Sequence, residues 1–157
     1  MEKSLQLKYS KTLKLSNPLI KNVRREDLEE FPLTVESMEN YIEEKGYQPI
    51  GPLIQYARPY VNENNEIDME LKIILQASNY INNVSEGYEM KPVIRIANCM
   101  YCRYTGPENM LKDAYDKMNS IAFEEDIPLK GDKYIIFVEN NEEEGYIVVE
   151  VFMERND

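Results

Sequence analysis

The sequence contains no histidine and no tryptophan, and only two of its 157 residues are cysteine. Without histidine there is no Ser-His-Asp chemistry, no imidazole metal ligand and no histidine pH switch. Two cysteines are too few for a disulfide scaffold and suit a reducing, cytoplasmic setting. They form Cys99-Met-Tyr-Cys102 inside a run, residues 93–104, that reads as a strand. Three residues along a strand cover about 10 Å and put the two side chains on opposite faces. Such a pair can neither bridge nor share a metal, and a redox pair would instead open a helix. No apolar run approaches the roughly 20 residues of a membrane span, and no apolar segment follows the N-terminal lysines as a signal peptide requires. Positive charge is also scarce. Lys and Arg total 18 against 29 Asp and Glu, a net charge of −11, which argues against direct binding to a nucleic-acid backbone. No nucleophile elbow, phosphate loop, dinucleotide fingerprint or metal-ligand cluster is present. No cofactor, metal or catalytic residue is therefore assigned.

What is present is a chain 43% hydrophobic, long enough for one folded domain over residues 1–157 with a real core. Its charge is uneven. Residues 1–25 carry seven basic groups and a single acid, Glu2, whereas the remainder is strongly acidic. A basic arm can meet an acidic partner, in another protein or a second copy of the chain, or a nucleic acid. It also fits an edge strand whose lysines discourage pairing, since Leu5, Leu7, Tyr9, Leu13 and Leu15 recur on alternate positions.

Beyond Asn17-Pro18 the extended run resumes at residues 19–24. A helix is expected over residues 34–45, capped by Thr34, with Val35, Met38, Tyr41 and Ile42 as its apolar stripe and Gly46 past its end. A strand at residues 53–60 and a polar turn at residues 62–65 precede the clearest strand, where Ile67, Met69, Leu71, Ile73 and Leu75 alternate with polar residues. After a polar link over residues 78–90 the order recurs. Strand 92–104 meets Thr105-Gly-Pro-Glu108, which has capping-box spacing, and then a helix carrying Met110, Leu111, Ala114, Met118, Ile121 and Ala122. Strands at residues 133–139 and 146–154 follow.

The chain thus reads strand-helix-strand-strand twice, with halves at about residues 15–77 and 91–155. Pro49 and Gly51 match Pro128 and Gly131, and Glu70 falls opposite Glu150 when the last strands are aligned. The expected fold is α+β: two duplicated units in an antiparallel sheet with two helices on one face.

Glu150 stands out. One face of its strand carries Ile147, Val149, Val151 and Met153, and the other carries Tyr146, Val148, Glu150 and Phe152. A carboxylate among apolar and aromatic neighbours either binds a cation or holds its proton; a cation on the next strand is the alternative. Glu70 shares its face with Asp68, Lys72 and Gln76 and reads as solvated, and Asp68 with Glu70 lacks the other ligands a calcium site needs. The 12 tyrosines make up most of the 16 aromatics. Tyr56, Tyr101, Tyr104, Tyr134 and Tyr146 lie on expected strands, and rings with a polar tip suit flat or cationic molecules. Taken singly, each ring can equally be sheet packing.

The repeated order resembles the GyrI-like small-molecule-binding domains, which also serve as effector-binding halves of MerR- and AraC-type multidrug-responsive regulators. The local match is Tyr101-Cys-Arg-Tyr104-Thr-Gly106-Pro107, followed by a helix with Ala114-Tyr115. Tyr134 and Glu150 fall where the family has a pocket aromatic and its ligand-facing glutamate. The resemblance covers about residues 15–155. It implies a stand-alone binding protein that holds or sequesters an aromatic, lipophilic or cationic compound, with no helix-turn-helix of its own. Some relatives hydrolyse reactive genotoxic compounds, which keeps a hydrolase using Glu150 and a tyrosine as an alternative. A protein-interaction module with a vestigial pocket is the third reading.

Overall fold

The computed structural model describes residues 3–157, so Glu2 of the basic segment lies outside the described residues. The fold is α+β, with eight strands and two α-helices among the described residues: β1 Ser4–Ser16, β2 Pro18–Val23, α1 Phe31–Glu44, β3 Pro49–Val61, β4 Ile67–Ala77, β5 Tyr88–Met90, β6 Val93–Gly106, α2 Lys112–Glu124, β7 Lys133–Asn141 and β8 Tyr146–Glu154. The chain divides into two compact units, one of residues 1–13 with 96–157, the other of residues 14–95.

In the unit of residues 14–95 the antiparallel strands run in the order β3-β4-β2-β5. Side chains two apart on β4 share a face. Ile73, Leu75 and Ala77 join Leu19 of β2 and meet Met38 and Ile42 of α1 in one apolar cluster. The expected stripe of α1 is present, but the helix begins at Phe31 rather than near Thr34. Pro32 fits the first helical turn, where no intrahelical N–H is required, and Thr34 bonds back to the Glu30 carbonyl instead of capping. The link over residues 78–90 contains the short strand β5, three residues paired with β2.

In the other unit the order is β1-β6-β8-β7, with β1 at the edge. Met100, Cys102 and Tyr104 of β6, Ile147, Val149, Val151 and Met153 of β8 and Ile135 of β7 face Ala114, Met118 and Ala122 of α2. Here too a helix start differs from expectation. Thr105 belongs to β6, the next turn is a 3-10 helix at Glu108–Met110, and no side chain caps α2. Gly106 is required sterically. A Cβ there would lie 2.8 Å from the Tyr104 hydroxyl and 2.9 Å from the Lys3 Cα, inside van der Waals contact.

The two units repeat the same internal ties. After α1, Tyr47 N–H donates to Ile42 (3.2 Å) and Ser78 N–H to Gln48 (2.8 Å); after α2, Ile127 N–H donates to Ala122 (2.8 Å) and Asn156 N–H to Pro128 (2.7 Å). Gly51 and Gly131 both adopt positive φ, 75° and 99°. Each unit then inserts two extra residues in its first hairpin strand, between the Ile50 and Ile54 pairings and between the Leu129 and Tyr134 pairings. This register corrects the expected alignment of the last strands. Phe152 corresponds to Ile74, so Glu150 corresponds to Lys72, and Glu70 to Val148. The reason is that the hairpin joining Ile54 to Ile74 is two residues longer than the one joining Tyr134 to Phe152.

Candidate functional site

The face of β6-β8-β7 turned away from α2 carries the candidate site. Paired residues in an antiparallel ladder share a face, so cross-strand rungs can be read from the register. Tyr101 pairs with Phe152, and Phe152 pairs with Tyr134, giving an aromatic rung across three strands. All three rings are buried. The rings of Tyr101 and Phe152 meet edge to face, with centroids 5.1 Å apart at 63°. The next rung is Arg103, Glu150 and Ile136.

Glu150 therefore sits on β8, between two neighbouring strands, with its side chain 21% exposed. Its carboxylate accepts a hydrogen bond from the Tyr101 hydroxyl. Burial, followed by the bond to Glu150, pushes the Tyr101 phenol up to about 12, so it stays a proton donor at neutral pH. Arg103, the ladder partner of Glu150 on β6, acts in the opposite sense, as a positive charge near that hydroxyl. The edge strand β1 adds two cations. Lys11 Nζ lies 4.1 Å from the Tyr101 ring centroid and 4.0 Å from Glu150 Oε2, while Lys8 Nζ lies 5.8 Å from the same ring. Glu150 thus borders an aromatic surface, and the ammonium of Lys11 approaches it from β1, two strands away.

The other candidate residues lie elsewhere. Tyr104 is fully buried on the α2 side of β6, its hydroxyl donating to the Pro107 carbonyl. It stands three residues from Tyr101, and successive strand side chains alternate, so one strand presents the two rings to opposite faces. Tyr146 is at the start of β8, bonded to Glu139 (3.3 Å) and Asn141 (3.4 Å), beside a cleft of about 260 Å³ that includes Glu108 and Ile147. Tyr56 belongs to the unit of residues 14–95, where Lys72 Nζ lies 5.3 Å from its ring. Sequence reasoning missed Lys11, Lys8 and Arg103. Arg103 had a usable signal, since it shares its strand face with Tyr101.

In the unit of residues 14–95 Glu70 is held by Arg58 at 3.0 Å and Lys72 at 3.5 Å. The Arg58 hydrogen bond draws it below the usual carboxylate range. It borders an open groove of about 440 Å³ whose lining includes Arg24, Arg25, Tyr60 and Asp68. Cys99 and Cys102 are both free and buried, each thiol pushed up to about 11 chiefly by burial. Among the described residues no cluster of His, Cys, Asp and Glu could hold a metal ion, and no helix is long and apolar enough to cross a membrane.

No protein-family model matches the sequence, and no curated protein matches it. Solved structures do. The chain is similar to EcmrR in a cryo-EM EcmrR–DNA complex, with TM-score 0.70 and 12% identity over 96% of this chain. It spans 57% of that chain. It is also similar to SAV2435 bound to tetraphenylphosphonium, with TM-score 0.52 and 11% identity over 99% of this chain and 94% of that one. A hydrolase from Listeria innocua gives TM-score 0.52 and 11% identity over 94% of this chain and 91% of that one. At these identities the likeness establishes a common fold: the α+β architecture of this chain is one found in EcmrR complexed with DNA, in SAV2435 bound to tetraphenylphosphonium, and in a hydrolase.

Proposed function

We propose that this chain is a GyrI-like effector-binding domain that takes a small aromatic cation on the Tyr101–Phe152–Tyr134 rung, with Glu150 as its counter-charge. The observation that carries the reading is Glu150 itself. It is partly buried on a non-edge strand, beside three buried rings and hydrogen-bonded by a tyrosine. A carboxylate is expensive to hold there unless it meets a positive charge, and ring faces attract the same charge. The tetraphenylphosphonium-bound neighbour supports this chemistry on this fold. EcmrR, of which the chain spans 57%, supports a place in a longer regulator or beside a DNA-binding partner. A thermal-shift screen of cationic aromatics tests it. Hits should stabilise the wild type and lose most of that effect in Glu150→Gln, while uncharged analogues distinguish little between the two. Equal shifts in both proteins overturn the reading.

A second reading is hydrolysis, favoured by the direct Tyr101–Glu150 hydrogen bond and the hydrolase neighbour. Glu150 would activate water, and the protonated Tyr101 would donate to the leaving group. It requires turnover of an electrophilic substrate that both Glu150→Gln and Tyr101→Phe abolish. Tyr101→Phe keeps the ring, so the binding reading predicts a change in affinity of no more than about threefold.

A further inference from the structure

Resting on the cation site just proposed, we infer that Lys11 is a tethered competitor for it, an ammonium carried by the chain's own edge strand. Its Nζ satisfies both attractions a ligand cation would use, at 4.1 Å from the Tyr101 centroid and 4.0 Å from Glu150 Oε2. A ligand that places its positive charge over this ring and beside this carboxylate must displace the lysine. The lysine can leave readily. Its side chain is 36% exposed, and β1 lies at the edge of its unit. Exposed ion pairs and cation–π contacts are each weak, so the strap lowers apparent affinity without closing the site. The other charges facing Glu150 do different work. Arg103 is the ladder partner of Glu150 on β6, and Lys8 Nζ lies 5.8 Å from the Tyr101 ring centroid, farther out than Lys11. Lys11 therefore sets a threshold: a weakly held or strongly hydrated cation does not displace it, whereas a large aromatic cation gains enough ring contact to do so.

The consequence is opposite for opposite charges. Lys11→Gln removes the ammonium without adding apolar surface. It should tighten tetraphenylphosphonium binding about three- to thirtyfold, the range given by one exposed ion pair plus one cation–π contact. The same substitution should weaken tetraphenylborate, which has similar shape and the reverse charge. Lys14→Gln, an exposed position on the same strand, changes net charge equally and should alter either affinity less than about twofold. A second readout follows the lysine itself. Acetylation of Lys11, read by mass spectrometry on the intact chain, should accelerate when tetraphenylphosphonium is bound.

Unchanged or weaker tetraphenylphosphonium binding by Lys11→Gln, or slower acetylation in the complex, overturns the inference. If wild-type binding is also lost in Glu150→Gln, the cation site stands and only the role of Lys11 falls. If neither wild type nor Lys11→Gln binds the cation, both fall.

Discussion

Replacing Tyr104 by phenylalanine removes one oxygen from a fully buried ring, and the structure says where the cost should appear. The hydroxyl donates to the Pro107 carbonyl, at the corner where β6 turns toward α2. That carbonyl also accepts the Met110 N–H at 3.1 Å, so the substitution does not orphan it. The loss should be near that of one ordinary buried hydrogen bond, about 1 kcal/mol, and well short of the cost of an unsatisfied buried group. In a chain of this size that lowers the Tm by about 2–4 °C. Urea and thermal unfolding read the loss, and cation binding to the same protein should be unchanged within about twofold. The two rings are three residues apart and face opposite sides of one strand, so Tyr104 does not touch the Tyr101 face. A Tyr104→Phe protein of full stability but tenfold weaker ligand binding would refute the placement of that ring. So would a loss of about 3 kcal/mol, which would mean that the Pro107 carbonyl had no other partner.

Three further outcomes follow from the same geometry. Cys99 and Cys102, buried with raised pKa values, should resist a thiol reagent in the native protein and both react after unfolding; fast native labelling of either, or an internal disulfide, contradicts the strand placement. Burial pushes the Tyr115 phenol to about 12, as burial and then the Glu150 bond do for Tyr101, so folding favours the protonated forms. Their contribution is complete below the ordinary tyrosine value of about 10 and is lost as pH rises from there through about 12; ultraviolet titration should show late-ionising tyrosines, one fewer in Tyr115→Phe, and a Tyr115→Phe titration indistinguishable from wild type contradicts this. Arg58 depresses Glu70, so its contribution is present above the unfolded carboxylate value of about 4.3 and disappears as pH falls through the lower folded value. With partly exposed partners it should amount to no more than about 1 kcal/mol, so Glu70→Gln should lower the urea midpoint slightly near neutral pH and not in acid; a constant difference at both refutes it.

Much of the scaffold was legible because periodicity is a local property. The alternation over Ile67 to Leu75 gives β4, and the spacing of Met38 and Ile42 gives the buried face of α1. The same two-residue rule that separated Cys99 from Cys102 also separates Tyr101 from Tyr104, so the misgrouping of those two rings was avoidable from sequence. Other features were not local. Thr34 and Thr105 look like caps, but tertiary context gives the first turn to Phe31 and Pro32 and keeps Thr105 in a ladder opposite Val148. The aromatic rung depends on pairings between residues 101, 134 and 152, and only strand order brings Phe152 between the two tyrosines. Lys11 was invisible for the same reason, since β1 reaches β6 across more than 80 residues, as in the Thr12 bond to Ala97. The repeat was visible from its glycines, but the two-residue difference between hairpins moved the match of Glu150 from Glu70 to Lys72.

A calorimetric titration of wild type and Glu150→Gln with tetraphenylphosphonium at low salt reads the charge pairing of Glu150 directly. Binding to the wild type should be saturable, and weakened about ten- to a hundredfold in Glu150→Gln by removing a partly buried charge that pairs with the ligand. Equal affinity in the two proteins, or no binding to a folded wild type, would contradict that pairing.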